Sequence, residues 1–223
     1  MIKYVIPARK NSKGLPFKNR KLICYTLDKL PKDVVQNTIL TTDDDELIKI
    51  ANYYGIVCYK RDDNLALDET STKDVLLDLK NNKLFDNCET VVMLYLTYPE
   101  RTWLDIQNIV SFYNQNKAKS LLCKKEIKGT HPYLYMLEVG DLYGEQLRSH
   151  NLYRRQDYPK VFEISHFTSI FNVSLQNLIF SPHVIPNGPL CGNPVTPVDP
   201  SIKNLQSSLP HFDFFNFDTY LFI

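Results

Sequence analysis

The stretch Tyr4–Lys21, YVIPARKNSKGLPFKNRK, decides how the rest of the chain is read. Tyr4, Val5 and Ile6 form a short apolar run without helical period, closed at once by Pro7, which is the pattern of a buried strand. Behind it come Arg9, Lys10, Asn11, Ser12, Lys13 and Gly14, then Pro16 and a second polar group, Lys18, Asn19, Arg20 and Lys21. A helix is expected from about Leu22 to Leu30, with Leu22, Ile23, Tyr25, Leu27 and Leu30 at helical spacing and a stop at Pro31. Strand, polar loop and helix make the repeating unit of an open α/β sheet, and such sheets bind ligands outside the carboxyl ends of their strands. Six cations interleaved with amide and hydroxyl donors, with Gly14 to let backbone come close, suit a polyphosphate. The order is neither G-x-x-x-x-G-K-[ST] nor G-x-G-x-x-G. On charge alone, a solvated basic loop is an equal reading.

Composition narrows the alternatives. A chain of 223 residues fits one α/β domain with a small appendage. The formal net charge of +1 argues against any global attraction to nucleic acid or membrane, so the basic loop is a local feature. The start MIKYVIPARK lacks the apolar core of a signal peptide, and no run reaches membrane-spanning length. The five cysteines, Cys24, Cys58, Cys88, Cys123 and Cys191, are odd in number and lack C-x-x-C spacing. They read as free thiols of a reducing compartment, which points to a cytoplasmic enzyme without structural zinc.

Along the chain, strands are expected at Thr38–Thr41, Ile56–Lys60, Thr90–Leu96 and Ser120–Cys123. The third of these is nearly all apolar, as in the middle of a sheet covered on both faces. Helices are expected from about Asp44 to Tyr54, ending at Gly55, from Ser71 as N-cap to about Lys80, and from Trp103 to Asn116. Acidic residues at Asp44–Glu46 favour a helix start, and capping is preferred there over metal binding. Beyond Cys123 the alternation breaks down, and His131, before a proline, reads as a structural hydrogen-bonder rather than a catalyst. The fold class is α/β: a mostly parallel sheet with helices on both faces, forming one domain over 1–223 with an excursion at about 130–165.

IPARKNSKGLPFKN closely resembles the opening motif of the CMP-sugar synthetases, cytidylyltransferases that activate sialic acids and related 2-keto sugar acids. In that family an Ala-Arg-x-x-Ser-Lys-Gly-x-x-x-Lys-Asn loop holds the CTP phosphates, and Ala8, Arg9, Ser12, Lys13, Gly14, Lys18 and Asn19 match it. The resemblance implies that these residues and Asn11 bind nucleotide, with Arg9, Lys13 and Lys18 stabilising the triphosphate and the departing pyrophosphate. Thr41-Thr42-Asp43-Asp44 is similar to the family's Ser-Thr-Asp-Asp. Arg61, Leu65, Ala66, Asp68 and Ser71 match its Arg-Pro-x-x-Leu-Ala-x-Asp-x-x-Ser-Ser segment, which implies base or ribose contacts for Arg61 and Thr72. As a plain surface pair with Asp62 or Asp63, Arg61 would contribute little.

On the sugar side the resemblance is partial. Thr97, Pro99, Arg101 and Thr102 follow the family's Gln-Pro-Thr-Ser-Pro-Leu-Arg-Thr, but Tyr95 replaces the glutamine that helps hold the sugar. Arg155, Gln156, Asp157 and Pro159 resemble Arg-Gln-Asp-Leu-Pro, which implies a two-pronged bond from Arg155 to the sugar carboxylate. Ser165 stands where relatives place a substrate-contacting asparagine. Near the end, Phe212–Tyr220 is similar to the family's Ile-Asp-Ile-Asp-Thr, with carboxylates at alternate strand positions that share Mg²⁺. Here Asn216 replaces the first carboxylate and Asp218 keeps the second. An aromatic strand with an incidental Asp is the plainer alternative. By resemblance the fold is a three-layer, Rossmann-like nucleotidyltransferase, the cofactor is Mg²⁺, and the arm swaps across a homodimer to complete the partner's sugar pocket. The expected reaction is CMP transfer from CTP to a sialic-acid-like 2-keto sugar acid. Another sugar or nucleotide, and a CTP-binding pseudoenzyme with a weakened metal site, are the alternatives that Tyr95, Ser165 and Asn216 leave open.

Overall fold

Side chains alternate across the pleat of the first strands, and that alternation sorts the core onto the two faces of one sheet. The computed structural model describes residues 1–11, 14–127, 129–139, 143–173 and 217–222. Seven strands, β1 (Ile2–Pro7), β2 (Thr38–Thr42), β3 (Val57–Lys60), β4 (Thr90–Met93), β5 (Ser120–Glu126), β8 (Phe162–Asn172) and β9 (Phe217–Phe222), pair in the order β3-β2-β1-β4-β8-β5-β9. The pairs β3-β2, β2-β1 and β1-β4 are parallel, while β8 runs antiparallel to both β4 and β5, and β9 antiparallel to β5. Only β8 and β9 therefore run against the other strands.

Tyr4, Ile6, Leu40 and Val92 turn to one face, where α1 (Lys18–Leu27), α3 (Asp45–Tyr53) and α5 (Trp103–Gln115) cover them with Ile23, Leu27, Leu47, Ala51, Ile106 and Val110. The short α2 (Lys32–Val35) closes the same side with Val34. Val5, Ile39, Val91 and Met93 turn to the other face, against Leu76 and Leu79 of α4 (Thr72–Asn81) and Phe85. Helices thus cover both faces, as expected for a sheet whose strands read as continuous apolar runs.

The elements differ from the sequence expectation in several places. Helix α1 begins at Lys18, not near Leu22, because apolar spacing reports the buried stripe and is silent about an exposed first turn. Strand β4 ends at Met93, although the apolar run continues. Leu94 and Leu96 stay buried beyond the last pairing with β1 as part of the floor under the strand ends. Strand β8 was not foreseen, since nothing local announces a strand that returns from an excursion to insert between β4 and β5. The caps expected at Asp44 and Ser71 are present: Asp44 accepts from the Glu46 N–H, and Ser71 forms a reciprocal capping box with Asp74.

The excursion between β5 and β8 carries the small hairpin β6 (Met136–Val139) and β7 (Tyr143–Gln146). Its base is a cluster of rings, His131, Tyr133, His150 and Tyr158, with Tyr133 and His150 stacked at 4.4 Å. His131 is structural here: its Nδ1 accepts from the Tyr133 N–H and its Nε2 lies 2.9 Å from the Pro159 carbonyl. Cys24, Cys58, Cys88 and Cys123 are free thiols, and Cys191 lies outside the described residues. No helix among the described residues is long and apolar enough to cross a membrane.

One ion pair ties the amino-terminal loop to the sheet. Arg20 of α1 donates two hydrogen bonds, of 2.7 and 2.8 Å, to the carboxylate of Asp44, whose side chain is 1% exposed. Burial alone would raise the carboxyl pKa of Asp44, but the Arg20 bonds, the Glu46 N–H and the charge of Lys10 outweigh it and hold it below the usual value. Phe17, just before α1, takes a left-handed conformation with φ 54°, and its ring lies 4.5 Å from the Arg20 guanidinium. Asp44→Ala removes both the pair and the cap, and is expected to cost about 2–3 kcal/mol in urea unfolding at pH 7. A carboxyl with a depressed folded pKa stabilises above its unfolded value, near ~3.9, and that contribution is lost as pH falls through the folded one. The gap between wild type and variant should therefore close on acidification; a gap independent of pH would contradict this account.

Candidate active site

The parallel half of the sheet ends in a cleft of about 520 Å³ at the carboxyl ends of β1 and β4. Its walls come from three groups of residues. Pro7, Arg9, Lys18 and Asn19 come from the passage of β1 into α1. Arg61, Leu65, Leu67, Asp68, Thr70, Thr72 and Val75 come from the segment between β3 and α4 and from the start of α4, and Tyr95, Leu96, Thr97 and His166 from the chain after β4 and from β8.

The basic loop is held from beneath by the turn after β2. The Lys10 N–H donates to Asp43 at 2.8 Å, the Ala8 N–H to the Thr41 carbonyl at 3.0 Å, and the Asn19 amide to the Arg9 carbonyl at 2.8 Å. Ala8 is fully buried, so its role is packing. The first turn of α1 holds no acidic residue and no side chain caps it. Lys18 at that turn and Arg9 at the strand end therefore add their charge to the positive end of a helix dipole, an arrangement that suits an anion. Arg9 pairs with Asp68 at 2.6 Å and donates to the Leu67 carbonyl at 3.1 Å, which draws the basic loop and the 65–68 segment together across the cleft.

In the second of these walls Arg61 is 6% exposed and donates to the main-chain carbonyls of Leu65 and Thr41. Burial lowers its pKa, opposed in part by Asp43. Its buried Nε has no partner among the described residues. Arg61 thus shapes the loop that lines the cleft. Leu65, Leu67 and Val75 give this wall apolar surface and Thr72 adds a hydroxyl, groups that suit a base and ribose, while the Thr70 hydroxyl donates to the Asn64 carbonyl at 3.1 Å.

In the third wall, burial pushes the Tyr95 hydroxyl up to about 12, against the pull of its hydrogen bond to Ser169 at 3.2 Å. Tyr95 therefore offers the cleft a ring rather than an acid. The structure does not bring Arg101, Ser165, Arg155 or Gln156 to the cleft wall. Arg101 is 6% exposed, donates to the Phe167 carbonyl, and has its pKa lowered to about 10 by burial. The Ser165 hydroxyl is 3.1 Å from the Tyr98 hydroxyl, behind the cleft. Arg155 and Gln156 are exposed on a 3₁₀ turn of the arm, beside an Arg154–Asp157 ion pair.

Asn11 and Gly14 are exposed on the loop without lining the cleft, and open space lies where a Cβ of Gly14 would sit, so no contact among the described residues demands glycine there. Ser12, Lys13 and Asn216 lie outside the described residues. Asp218 falls on β9, paired with Lys124 of β5 at the edge of the sheet. No group of three or more His, Cys, Asp or Glu side chains that could hold a metal ion occurs among the described residues. Asp68 and His166 were missed as site residues. Asp68 lay inside a matched motif, while His166 carried no local signal beyond standing next to Ser165.

Comparison with known proteins agrees with this geometry. The sequence matches the cytidylyltransferase family over residues 4–173. It is 29% identical over 177 residues to post-translational flagellin modification protein B of Campylobacter coli, covering 74% of this chain and 75% of that protein. It is 27% identical over 210 residues to pseudaminic acid cytidylyltransferase of Campylobacter jejuni, covering 84% and 88%. With N-acylneuraminate cytidylyltransferase of Streptococcus agalactiae it shares 25% identity over 168 residues, 71% of this chain but 40% of that relative's length. Among solved structures, CMP:2-keto-3-deoxy-manno-octonic acid synthetase complexed with CTP aligns with a TM-score of 0.54 at 16% identity, covering 77% of this chain and 73% of that one. At that identity the likeness is one of fold. Because the family match spans most of the chain and its basic loop lies in the cleft, the protein belongs to the cytidylyltransferases, the nucleotidyltransferase family that includes the CMP-sugar synthetases.

Proposed function

We propose that this protein transfers CMP from CTP to a hydroxyl of a sialic-acid- or pseudaminic-acid-like 2-keto sugar acid, releasing pyrophosphate. The observation that carries the reading is the set of chemistries gathered in one cleft: cations at a helix amino terminus, apolar side chains with a hydroxyl, and a wall without fixed charge. A nucleoside triphosphate held by the first two would share the cleft with an acceptor at the third. Relatives named for N-acylneuraminate and pseudaminic acid support an acidic sugar as acceptor.

Reactions at phosphorus of this kind depend on positioning and charge stabilisation more than on covalent chemistry. Lys18 and the amino terminus of α1 would hold the β- and γ-phosphates and stabilise the charge that builds on departing pyrophosphate. Arg9 would exchange Asp68 for phosphate, which frees the 65–68 segment to settle on the nucleoside. The acceptor oxygen then bonds to the α-phosphorus as the bond to the pyrophosphate oxygen breaks. Mg²⁺ belongs to the proposal as the counter-charge of the triphosphate, with Asp218 the candidate ligand, and would supply further charge neutralisation when bound. The scattered free thiols support a cytoplasmic enzyme.

We also propose a homodimer formed through the arm. Leu134, Tyr135, Met136, Leu137, Val139 and Tyr153 are all exposed on this small arm, a concentration of apolar side chains that favours a partner surface. By the family resemblance, such a dimer would be the means by which Arg155 and Gln156 reach a sugar pocket, that of the partner.

Pyrophosphate release with Mg²⁺, each of the four nucleoside triphosphates and a panel of 2-keto sugar acids tests the main reading. Release with CTP and an acidic sugar is expected. Binding of CTP without release for any acceptor would point to a nucleotide-binding protein that does not turn over. Lys18→Ala should lower kcat by about a hundredfold while leaving the sugar KM within a few-fold; equal changes in both would contradict its phosphate role. Leu137→Asp should shift sedimentation from dimer to monomer, and a wild type that sediments as a monomer at micromolar concentration would sink the dimer proposal.

A further inference from the structure

Strand β8 meets β5 in two registers. Leu122 faces Ser169, but the next residue, Cys123, faces Ser165, so His166, Phe167 and Thr168 stand out of the ladder as a bulge. Bulges beside active sites serve to re-aim a side chain. This one lies next to the last residue of β4, since Met93 pairs with Ser169. It is also firmly held. Thr168, fully buried, donates from its hydroxyl to the Met93 carbonyl at 2.7 Å. The buried Arg101 guanidinium donates to the Phe167 carbonyl, and the Phe167 N–H donates to the Ser165 hydroxyl at 3.3 Å. The Phe167 ring packs edge-on against Tyr98, with centroids 5.4 Å apart.

Of the three bulge residues, only His166 is exposed, and it alone lines the cleft. Its ring stands edge-on to Tyr95, with centroids 5.4 Å apart. The Tyr95 hydroxyl is already engaged by Ser169. Among the described residues of that wall, His166 therefore carries the only side-chain nitrogen that can donate to an anion. A sugar acid must bring its carboxylate into this space beside a triphosphate. An unpaired charge leaving water is costly, so a donor from the same protomer is favourable there in addition to what the arm of a dimer would bring.

Resting on the function proposed above, we propose that His166 recognises the acceptor by donating an imidazole N–H to the sugar carboxylate, and that Arg101 positions it by fixing the bulge from behind. The matched motif arginine thus reaches the acceptor through the Phe167 carbonyl and the backbone, not by direct contact. The face shown to the sugar is an aromatic shelf carrying the His166 donor, with the Thr97 hydroxyl in the same lining.

The test is steady-state kinetics with the sugar acid that supports pyrophosphate release. H166A should raise the acceptor KM about tenfold or more, with kcat changed less than about threefold and CTP affinity by calorimetry unchanged. H166N, which keeps an N–H donor, should fall between the two. The methyl ester of the same acceptor should bind wild type as poorly as the free acid binds H166A, and esterification should cost H166A nothing further. R101K should reproduce the KM effect in a smaller degree, with thermal unfolding reporting whether the fold survives; if it does not, the His166 variants decide. An unchanged acceptor KM in H166A overturns the proposal. So does a loss confined to kcat and restored by added imidazole, which would make His166 a proton acceptor instead. If wild type releases pyrophosphate with no acceptor, the parent reading fails and takes this one with it.

Discussion

Asp44 is almost wholly removed from water, and the site depends on what satisfies it. A carboxylate in that position must be paired or neutralised, and the two parallel bonds from Arg20 do the pairing. The consequence is geometric. Arg20 lies one turn into α1 and Asp44 caps α3, so the pair locks the amino terminus of one helix against that of another at the end of the parallel sheet. Asp43, one residue earlier, accepts from the Lys10 N–H and holds the other limb of the same loop. A segment rich in cations would otherwise spread under its own repulsion. Two neighbouring carboxylates fix it instead, and leave Arg9 and Lys18 directed at the cleft.

The cleft lies where the parallel half of the sheet meets the antiparallel half. Strand β4 is the last parallel strand, and β8 beside it runs the other way. A returning strand can bring a residue from far along the chain to the very end of a parallel strand, and the bulge at His166–Thr168 uses that opportunity. The basic part of the cleft is built from local strand-loop-helix units within the first eighty residues or so. The wall of Tyr95 and His166 draws on the chain after β4 and on β8, some seventy residues apart in sequence.

Much of the fold was legible because its signals are local. The apolar runs of β1 and β4, the caps at Asp44 and Ser71, and the helix expected from Trp103 to Asn116 each follow from short-range spacing, and the structure has each of them, with β4 ending at Met93. Polar residues in this protein carried a less legible message. Arg20 counted among the loop's cations, and Arg101 resembled a sugar ligand. In the fold, Arg20 neutralises a carboxylate from another element and Arg101 caps a bulge carbonyl. A guanidinium's partner is whatever the tertiary structure places within reach, and no local pattern encodes that.

The sequence by itself determined the class of the sheet, the basic loop at the end of its first strand, and membership in the cytidylyltransferases. Each of these rests on contiguous residues whose chemistry is independent of distant contacts. Tertiary structure alone decided which charges remain free to meet a ligand, and that Arg9 bridges to Asp68. It also decided that His166, rather than Ser165 beside it, enters the cleft. The reason is register: a slip of a few residues between β5 and β8 reverses which side chains face the site, and that slip exists only once both strands are paired.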